Sequence, residues 1–314
     1  MKEVLYLVVP CYNEEEVLHE TAKRLLEKIT LMIEKNLIND KSRILFVNDG
    51  SKDKTWDIIK ELHTQHDIFL GINLSRNRGH QNALLAGLMT AKSYADMVIS
   101  LDADLQDDIN VIDKFVEEYY NGSDIVYGVR CSRKSDTFFK RTTALAFYKL
   151  MANFGVESIY NHADYRLMSK RALEGLAQFK EVNLFLRGMI PLIGYKYSVV
   201  EYERHERFAG ESKYPLKKMI SFALDGITSL SIKPIRLVTG LGFTIFFVSF
   251  VVAFYSLIAK VIGNTVSGWT SLTISIWMIG GIQLLCLGVI GEYIGKIYNE
   301  TKERPRFIIQ DKLL

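Results

Sequence analysis

Two long stretches without charged residues, 237–259 and 269–291, most limit what this chain can fold into. An α-helix rises about 1.5 Å per residue, so each stretch is long enough to cross a hydrocarbon core of about 30 Å. A short connection joins them, which predicts a hairpin of two membrane-spanning helices within residues 235–296 rather than two buried helices of a soluble domain. Residues 297–314 would then form a cytosolic tail.

Basic residues flank the predicted hairpin on one side. Lys233 and Arg236 precede the first stretch, whereas the connection contains only Lys260. The second stretch is soon followed by Lys296, Lys302, Arg304 and Arg306. Because cytoplasmic segments next to membrane helices are rich in lysine and arginine, both ends of the hairpin are predicted to lie in the cytosol. The chain is therefore expected to be a multi-pass protein of the cell membrane.

The segment before the hairpin, residues 213–234, mixes basic with apolar residues. Lys217 and Lys218 stand beside Met219, Ile220 and Phe222. This pattern predicts amphipathic helices that lie on the inner leaflet, although an ordinary domain helix is the alternative. Helices of this kind would hold the preceding domain close to the bilayer, so we expect a substrate that lives in the membrane.

Composition supports a division of the chain into a soluble and a membrane part. The 314 residues include 39 Lys+Arg and 36 Asp+Glu, a near balance that gives no indication of a nucleic-acid partner. The mean hydropathy of +0.07 is high for a chain with 24% charged residues, because the apolar residues are concentrated towards the C-terminus. Residues 1–212 are accordingly expected to form a cytosolic domain.

Strand and helix patterns alternate through this N-terminal domain. Segments with helical periodicity separate short apolar runs that are typical of buried strands. These runs are Val4–Val9, Ile44–Val47, Phe69–Leu74, Met97–Leu101 and Ile125–Val129. The alternation predicts an α/β fold whose mainly parallel sheet is covered by helices on both faces.

An acidic stretch follows the fourth of these strands. Asp102 and Asp104 stand two residues apart at the strand end, where an open α/β sheet binds its ligand. Clustered carboxylates repel one another unless a cation or hydrogen-bond donors compensate. A divalent ion carrying a diphosphate would compensate well, and an acidic loop that caps the next helix is the alternative.

Four motifs resemble successive motifs of glycosyltransferase family 2. They are Pro10-Cys11-Tyr12-Asn13-Glu14, Val47-Asn48-Asp49-Gly50-Ser51, Asp102-Ala103-Asp104-Leu105-Gln106-Asp107 and Arg207-Phe208-Ala209-Gly210-Glu211-Ser212-Lys213-Tyr214. Together with two C-terminal spans, they make the chain most similar to the polyprenyl-phosphate glycosyltransferases, such as bactoprenol glucosyltransferases and dolichyl-phosphate mannose synthase. The resemblance covers nearly the whole chain.

This resemblance implies a GT-A fold, a Rossmann-like nucleotide-sugar domain, and an inverting transfer of sugar from a nucleotide diphosphate to polyprenyl phosphate. UDP-glucose and undecaprenyl phosphate are the first choices, with UDP-N-acetylglucosamine and GDP-mannose as alternative donors. The lipid-linked sugar would then pass to a flippase and a membrane glycosyltransferase for glycosylation of the cell envelope.

The resemblance also assigns roles to residues that match the family's motifs. Asp102 and Asp104 match the site for Mg²⁺ or Mn²⁺, with Asp104 favoured as the direct ligand. The matches to nucleotide-sugar-binding positions are Pro10, Tyr12, Glu14, Asp49, Asp102 and Gln106.

The acceptor side has its own candidates. Charge and position favour a basic segment as the binding site for the lipid phosphate and the diphosphate, namely Arg204, Arg207, Ser212 and Lys213. Asp164 and Arg166 match an Asp-X-Arg element and complete the predicted catalytic set with Asp102 and Asp104. Asp164 either orients or deprotonates the acceptor, or it only pairs with Arg166. His80 is interpreted as a capping or structural residue rather than a base.

Two further hypotheses stay open at this stage. One is a non-catalytic nucleotide-sugar-binding subunit of a membrane protein, and the other is an enzyme with diacylglycerol as its acceptor. A processive polymerase is disfavoured because the chain lacks the Gln-X-X-Arg-Trp string of such enzymes. Two spans per chain also leave room for a homo-oligomer.

Overall fold

The computed structural model describes residues 2–131, 162–203, 227–229, 231–261 and 268–314. Within them the strands are β1 (Leu5–Cys11), β2 (Arg43–Asn48), β3 (Phe69–Leu74), β4 (Met97–Ser100), β5 (Ile125–Arg130), β6 (His162–Ser169), β7 (Tyr197–Tyr202) and β8 (Ile309–Leu313). The helices are α1 (Leu18–Glu34), α2 (Thr55–Gln65), α3 (His80–Ala91), α4 (Ile112–Tyr120), α5 (Lys170–Leu176), α6 (Leu186–Leu192), α7 (Lys233–Val261) and α8 (Trp269–Thr301).

The eight strands form one mixed sheet in the order β7-β5-β6-β4-β1-β2-β3-β8. Strands β4, β1, β2 and β3 run parallel to their neighbours in this group, and β5 pairs in parallel with β7. Strand β6 is antiparallel to both β4 and β5. The mainly parallel α/β sheet predicted from the sequence is thereby confirmed.

Helices cover both faces of the sheet because its central strands are apolar on both sides. In β1, Leu5, Leu7 and Val9 pack into the core that includes Leu25 of α1. The intervening Tyr6 and Val8 belong to a second core, which includes residues of α3, α5 and α6. The sheet is therefore the middle layer of three.

The strand order determines where a ligand can bind. Strand β1 has β2 on one side and β4 on the other, so the chain adds β2 and β3 on one side of β1 and then crosses back to add β4 on the other side. Such a switch point opens a crevice outside the carboxyl ends of the strands. The loops after β1, β2 and β4, which carry most of the predicted site residues, meet there.

The C-terminal segment, expected to be a tail, supplies an edge strand of the sheet. Strand β8 pairs antiparallel with β3, and Ser75 N donates to Ile308 O at 3.0 Å. Asn73 Nδ2 also donates to Asp311 Oδ2 at 2.9 Å. The chain thus returns from its last long helix to the α/β domain and covers the edge of β3.

Helices α7 and α8 contain the two stretches without charge, and α8 continues past residue 291 to Thr301. Apolar side chains on α7, among them Phe243, Phe247 and Val251, are exposed, as suits a lipid environment. Among the described side chains, one helical stretch, Met278–Thr301, is long and apolar enough to cross a membrane.

Helix α3 lies so close to the sheet that Gly87 has no room for a side chain. A Cβ atom there would lie 2.4 Å from Val8 Cγ1 and 2.8 Å from Val47 Cγ2. We predict that Gly87→Ala lowers the free energy of unfolding by about 1–3 kcal/mol through overpacking, although alanine in a helix is ordinarily better than glycine by about 1 kcal/mol. Thermal unfolding in detergent measures the change.

Thr90→Ala, in the same helix but only half-buried, is the matched control. It should change the free energy of unfolding by less than about 1 kcal/mol. An unfolding temperature of Gly87→Ala equal to or above that of the wild type would show that α3 does not pack on the sheet this closely.

Candidate active site

The loop after β4 turns alternate side chains in opposite directions. Its inward side chains are buried, namely Leu101, Ala103, Leu105 and Asp107. Its outward side chains are partly exposed, namely Asp102, Asp104 and Gln106. Asp104 Oδ1 accepts a hydrogen bond from Gln106 N at 3.1 Å, which steadies the turn. The two predicted metal-binding carboxylates therefore face the same side.

Asp107 fastens this loop to the far part of the sheet. Its Oδ1 accepts hydrogen bonds from Tyr202 OH of β7 at 2.6 Å and from Arg130 Nη2 of β5 at 3.1 Å. Arg130 Nε also donates to Tyr202 OH at 3.1 Å. Sequence reasoning gave these three residues no role, because only the strand order brings them together. Their contacts fix the loop that presents Asp102 and Asp104.

His80, at the start of α3, lies between two carboxylates. Its Nε2 is 3.7 Å from Asp102 Oδ1 and 3.7 Å from Asp164 Oδ2. Burial raises the pKa of Asp102 above its ordinary value, and nearby aspartates raise it further while His80 opposes the shift. Asp102 is thus a carboxylate in surroundings that disfavour its charge, a state that a bound cation would relieve.

Asp164 is held by two arginines. Its Oδ1 accepts hydrogen bonds from Arg166 Nη2 and from Arg187 Nε, the latter at 3.2 Å. Its Oδ2 accepts a hydrogen bond from Arg187 Nη2 at 3.0 Å. Although burial alone would raise the pKa of Asp164, Arg187 and Arg166 lower it well below the ordinary value. A carboxylate stabilised so strongly in its charged form is a poor proton acceptor near neutral pH. Of the two roles considered for Asp164, the contacts favour ion pairing.

Arg187 is a site residue that sequence reasoning missed. It stands in α6, within an apolar run that reads as an ordinary helix, so the sequence gave no signal for it. Helix α6 is joined to α3 by a hydrogen bond from Leu186 N to Gln81 Oε1 at 2.8 Å. This contact keeps Arg187 beside His80 and Asp164.

Asp49, at the end of β2, holds the loop that leads into α3. Its Oδ1 accepts from Arg78 N at 2.7 Å and its Oδ2 from Gly79 N at 2.8 Å. The loop crosses directly over Gly50, whose φ is +60° and where a Cβ would lie 2.5 Å from the backbone of residues 76 and 77. Asp49 therefore positions His80, and its contact with a nucleoside stays a prediction.

The loop after β1 lies against the loop after β2. Asp49 N donates to Cys11 O at 2.9 Å, and Lys52 N donates to Asn13 Oδ1 at 2.9 Å. Pro10 is buried in β1, whereas Tyr12 and Glu14 are partly exposed at its end. The structure thus brings Tyr12 and Glu14 to the same edge of the sheet as the acidic loop. The predicted basic residues Arg204, Arg207, Ser212 and Lys213 lie outside the described residues.

The donor set fits a hard divalent cation. Asp102 and Asp104 offer carboxylate oxygens, which Mg²⁺ and Mn²⁺ prefer. Burial, and to a smaller extent the nearby aspartates, raise the pKa of Asp102, so a bound cation would stabilise its charged form. Among the described residues, no group of three or more His, Cys, Asp or Glu side chains is placed to hold a metal ion. Two carboxylates leave room around such a cation for further oxygen ligands, such as those of a diphosphate.

An α/β sheet with carboxylates at its strand ends is compatible with a glycosyltransferase, and the chain belongs to glycosyl transferase family 2. The model of this family matches residues 6–176. The C-terminal part indicates which branch of the family this is, because residues 233–297 match the GtrB C-terminal hairpin. This match and the apolar helix of Met278–Thr301 indicate association with a membrane. The predicted family and enzyme class are confirmed.

Full-length relatives agree with this assignment. The chain is 40% identical to the bactoprenol glucosyl transferase of Shigella phage SfX over 98% of each chain. It is 57% identical to a Bacillus subtilis (strain 168) protein named "Uncharacterized glycosyltransferase YkoT", over 98% of this chain and 91% of the relative.

Solved structures resemble the fold at low sequence identity. Mannosyl-3-phosphoglycerate synthase from Rubrobacter xylanophilus is 16% identical with a TM-score of 0.49, over 75% of this chain and 74% of that one. Glucosyl-3-phosphoglycerate synthase from Mycobacterium tuberculosis, in complex with Mn²⁺ and UDP-glucose, is also 16% identical, with a TM-score of 0.45 over 73% and 78%.

The raised pKa of Asp102 predicts opposite effects on stability and activity. Protonated Asp102 favours the fold at low pH, and this contribution is lost as the pH rises through the raised pKa. At neutral pH the charged side chain is therefore destabilising, and Asp102→Asn should keep or raise the unfolding temperature without added metal. Sugar transfer should fall by about 100-fold or more.

Thermal unfolding and initial rates on the same detergent-solubilised preparations check both effects. Asp57→Asn, a substitution of an exposed aspartate on α2, serves as the control for each measurement. A large drop in the unfolding temperature of Asp102→Asn at neutral pH would contradict the charge assignment.

Proposed function

We propose that the protein transfers glucose from UDP-glucose to a polyprenyl phosphate, preferably undecaprenyl phosphate, at the cytosolic face of the membrane. The observation that carries this proposal is that the acidic pair, Asp102 and Asp104, lies beside the two arginines that contact Asp164. The acidic pair suits a cation and a diphosphate. The arginines, Arg166 and Arg187, suit the acceptor phosphate that attacks the sugar. Membership in family 2 and the GtrB hairpin support the same reaction.

Charge explains how the chain's own residues would assist the reaction. Departure of the diphosphate leaves negative charge beside Asp102 and Asp104, and a divalent ion held by them, Mg²⁺ or Mn²⁺, would supply the charge that stabilises this leaving group. The loop anchored by Asp107 would keep the two carboxylates in place. Tyr12, Glu14 and Asp49 line the side where the nucleoside is expected, and Gln106 faces the sugar.

The state of Asp164 favours a phosphate acceptor over a hydroxyl. A phosphate monoester has a second pKa of about 6 and is mostly dianionic at neutral pH, so it can attack without a base. A neutral hydroxyl, such as that of diacylglycerol, would need a proton acceptor. Asp164, paired with Arg166 and Arg187, is poorly suited to that task. Direct attack on the anomeric carbon would invert its configuration and give a β-linked lipid sugar.

Glucose is the preferred sugar because full-length relatives carry the name bactoprenol glucosyl transferase. The catalytic domain would face the cytosol, since the basic residues around the hairpin favour that side. The product would then need a flippase and a membrane glycosyltransferase to reach the cell envelope.

A transfer assay tests the proposal directly. Purified protein, Mg²⁺, undecaprenyl phosphate and a labelled nucleotide sugar should give label that extracts into butanol, most rapidly with UDP-glucose among UDP-glucose, UDP-N-acetylglucosamine and GDP-mannose. Asp104→Asn should reduce the rate by about 100-fold or more, because it removes a charge that acts on the leaving group. Chelation with EDTA should stop the reaction, and added Mg²⁺ or Mn²⁺ should restore it.

The control Asp57→Asn should retain the wild-type rate in this assay. Absence of extractable label with all three donors would refute the proposed reaction. Product formation by Asp104→Asn at the wild-type rate would instead refute the assigned metal and diphosphate site.

A further inference from the structure

We propose that Asp311, in the strand that follows α8, positions the loops that bind the nucleotide of the donor. The inference rests on the proposed function and extends it to a residue far along the chain from the predicted nucleotide-binding motifs. Asp311 belongs to β8, which pairs with β3 at the edge of the sheet. It is a positioning residue, because it acts on the site through other side chains.

Two buried asparagines connect Asp311 to the loop after β2. Asp311 Oδ2 accepts a hydrogen bond from Asn73 Nδ2 of β3 at 2.9 Å. Asn73 Oδ1 accepts a hydrogen bond from Asn48 Nδ2 of β2 at 2.8 Å. Asn48 Oδ1 in turn accepts a hydrogen bond from Ser51 N at 3.3 Å. This series of hydrogen bonds therefore runs from the C-terminal strand to the motif that contains Asp49.

The two ends of the series determine how both amide groups are oriented. A carboxylate only accepts hydrogen bonds, so Asn73 must present its NH2 group to Asp311 and its oxygen to Asn48. A backbone N–H only donates, so Asn48 must present its oxygen to Ser51. The exposed fractions of Asn48 and Asn73 are only 2% and 9%, and a buried polar group without a partner is costly. Removal of the Asp311 carboxylate would therefore weaken the order of both amides.

Ser51 extends the same series to the loop after β1. Its Oγ accepts a hydrogen bond from Asn13 N at 3.0 Å, and Asn13 Oδ1 accepts a hydrogen bond from Lys52 N at 2.9 Å. Asn13 has a φ of +53°, a conformation that side chains other than glycine adopt only at a cost. These contacts hold together the loops of Tyr12 and Asp49, where the nucleoside is expected.

The C-terminal segment also holds the loop after β3. Ser75 N donates to Ile308 O at 3.0 Å, and Arg78 Nη2 donates to Pro305 O at 3.2 Å. The same loop crosses Gly50 so closely that a Cβ there would lie 2.5 Å from its backbone. A displacement of the C-terminal segment would therefore move the loops after both β2 and β3.

Calorimetric titration of the full-length protein in detergent with UDP and Mg²⁺ tests the proposal. Asp311→Ala should raise the Kd for UDP by about 5-fold, which is within the range of coupling between residues in contact. Asp311→Asn keeps an oxygen that can accept from Asn73, so its Kd should change by less than about twofold. In transfer assays, Asp311→Ala should raise KM for UDP-glucose and leave KM for undecaprenyl phosphate unchanged.

An exchange of donor and acceptor tests the hydrogen bond itself. Asn73→Asp still accepts from Asn48 but places a second carboxylate opposite Asp311, so it should also raise the Kd for UDP. Addition of Asp311→Asn supplies an amide donor to the new carboxylate, and the double variant should regain most of the lost affinity. A double variant that binds no better than Asn73→Asp would overturn the proposal.

Lys312→Ala is the matched control, because Lys312 follows Asp311 in the same strand. Both residues are exposed, so neither substitution should disturb the core. Lys312→Ala should leave the Kd for UDP unchanged. Thermal unfolding of the same preparations separates the proposed role from a purely structural one. A lower unfolding temperature of Asp311→Ala with an unchanged Kd of the folded protein would overturn the proposal.

Failure of the proposed function gives a different result. In that case the wild-type protein, which contains Asp311, would itself bind no UDP and transfer no sugar. If the wild-type protein binds UDP and Asp311→Ala binds it equally well, only the role of Asp311 is refuted.

Discussion

Repulsion between carboxylates at the carboxyl ends of the strands is the constraint on which the site depends. Asp102, Asp104, Asp107 and Asp164 gather there, and each needs a compensating charge or donor. Asp107 has Arg130 and Tyr202, and Asp164 has Arg166 and Arg187. Asp102 and Asp104 face outward on the loop, and the pKa of Asp102 is raised. The contacts of Asp107 and Asp164 stabilise their charges, whereas the raised pKa of Asp102 shows that its charge is disfavoured, as suits a site for a cation with its diphosphate.

The membrane part of the chain is joined to this site at two places. Glu300 of α8 holds the segment before Arg187, and the chain after α8 adds β8 to the edge of β3. On its way, Pro305 O accepts a hydrogen bond from Arg78 Nη2 at 3.2 Å, in the loop that Asp49 holds. Both loops beside His80 are thus attached to the end of one helix. For the proposed lipid substrate, such attachments would hold the site at a defined position relative to the bilayer.

Much of the fold could be predicted from sequence because its signals are local. Apolar runs that are followed by Pro10, Asp49 and Asp102 predict parallel strands. The polar residues after these strands are then expected at the same edge of the sheet, which the strand pairing confirms. Strand β8 gave no such signal, since Ile309–Leu313 is short and half polar, and its pairing with β3 depends on the path of the chain after α8. Domain boundaries at 212 and 234 stay predictions.

Only part of the site could be predicted, because the signals in a sequence are local and most contacts of the site are not. Asp102 and Asp104 stand two residues apart in one motif, whereas Asp107 and Tyr202 are 95 residues apart and Asp164 and Arg187 are 23 apart. A single arginine in the apolar helix α6 has no pattern that reveals its partner. Asp49 is a different case, because its motif was recognised from the sequence. Only the structure shows that its carboxylate accepts hydrogen bonds from the backbone N–H groups of Arg78 and Gly79.

The structure of the lipid product tests the central claim most directly. After incubation with UDP-glucose, Mg²⁺ and undecaprenyl phosphate, the extracted lipid is analysed by mass spectrometry and by NMR of its anomeric proton. We expect one hexose joined to undecaprenyl phosphate through a β linkage. Glucose released into water, or attached to a lipid without a phosphate, would contradict the proposed reaction.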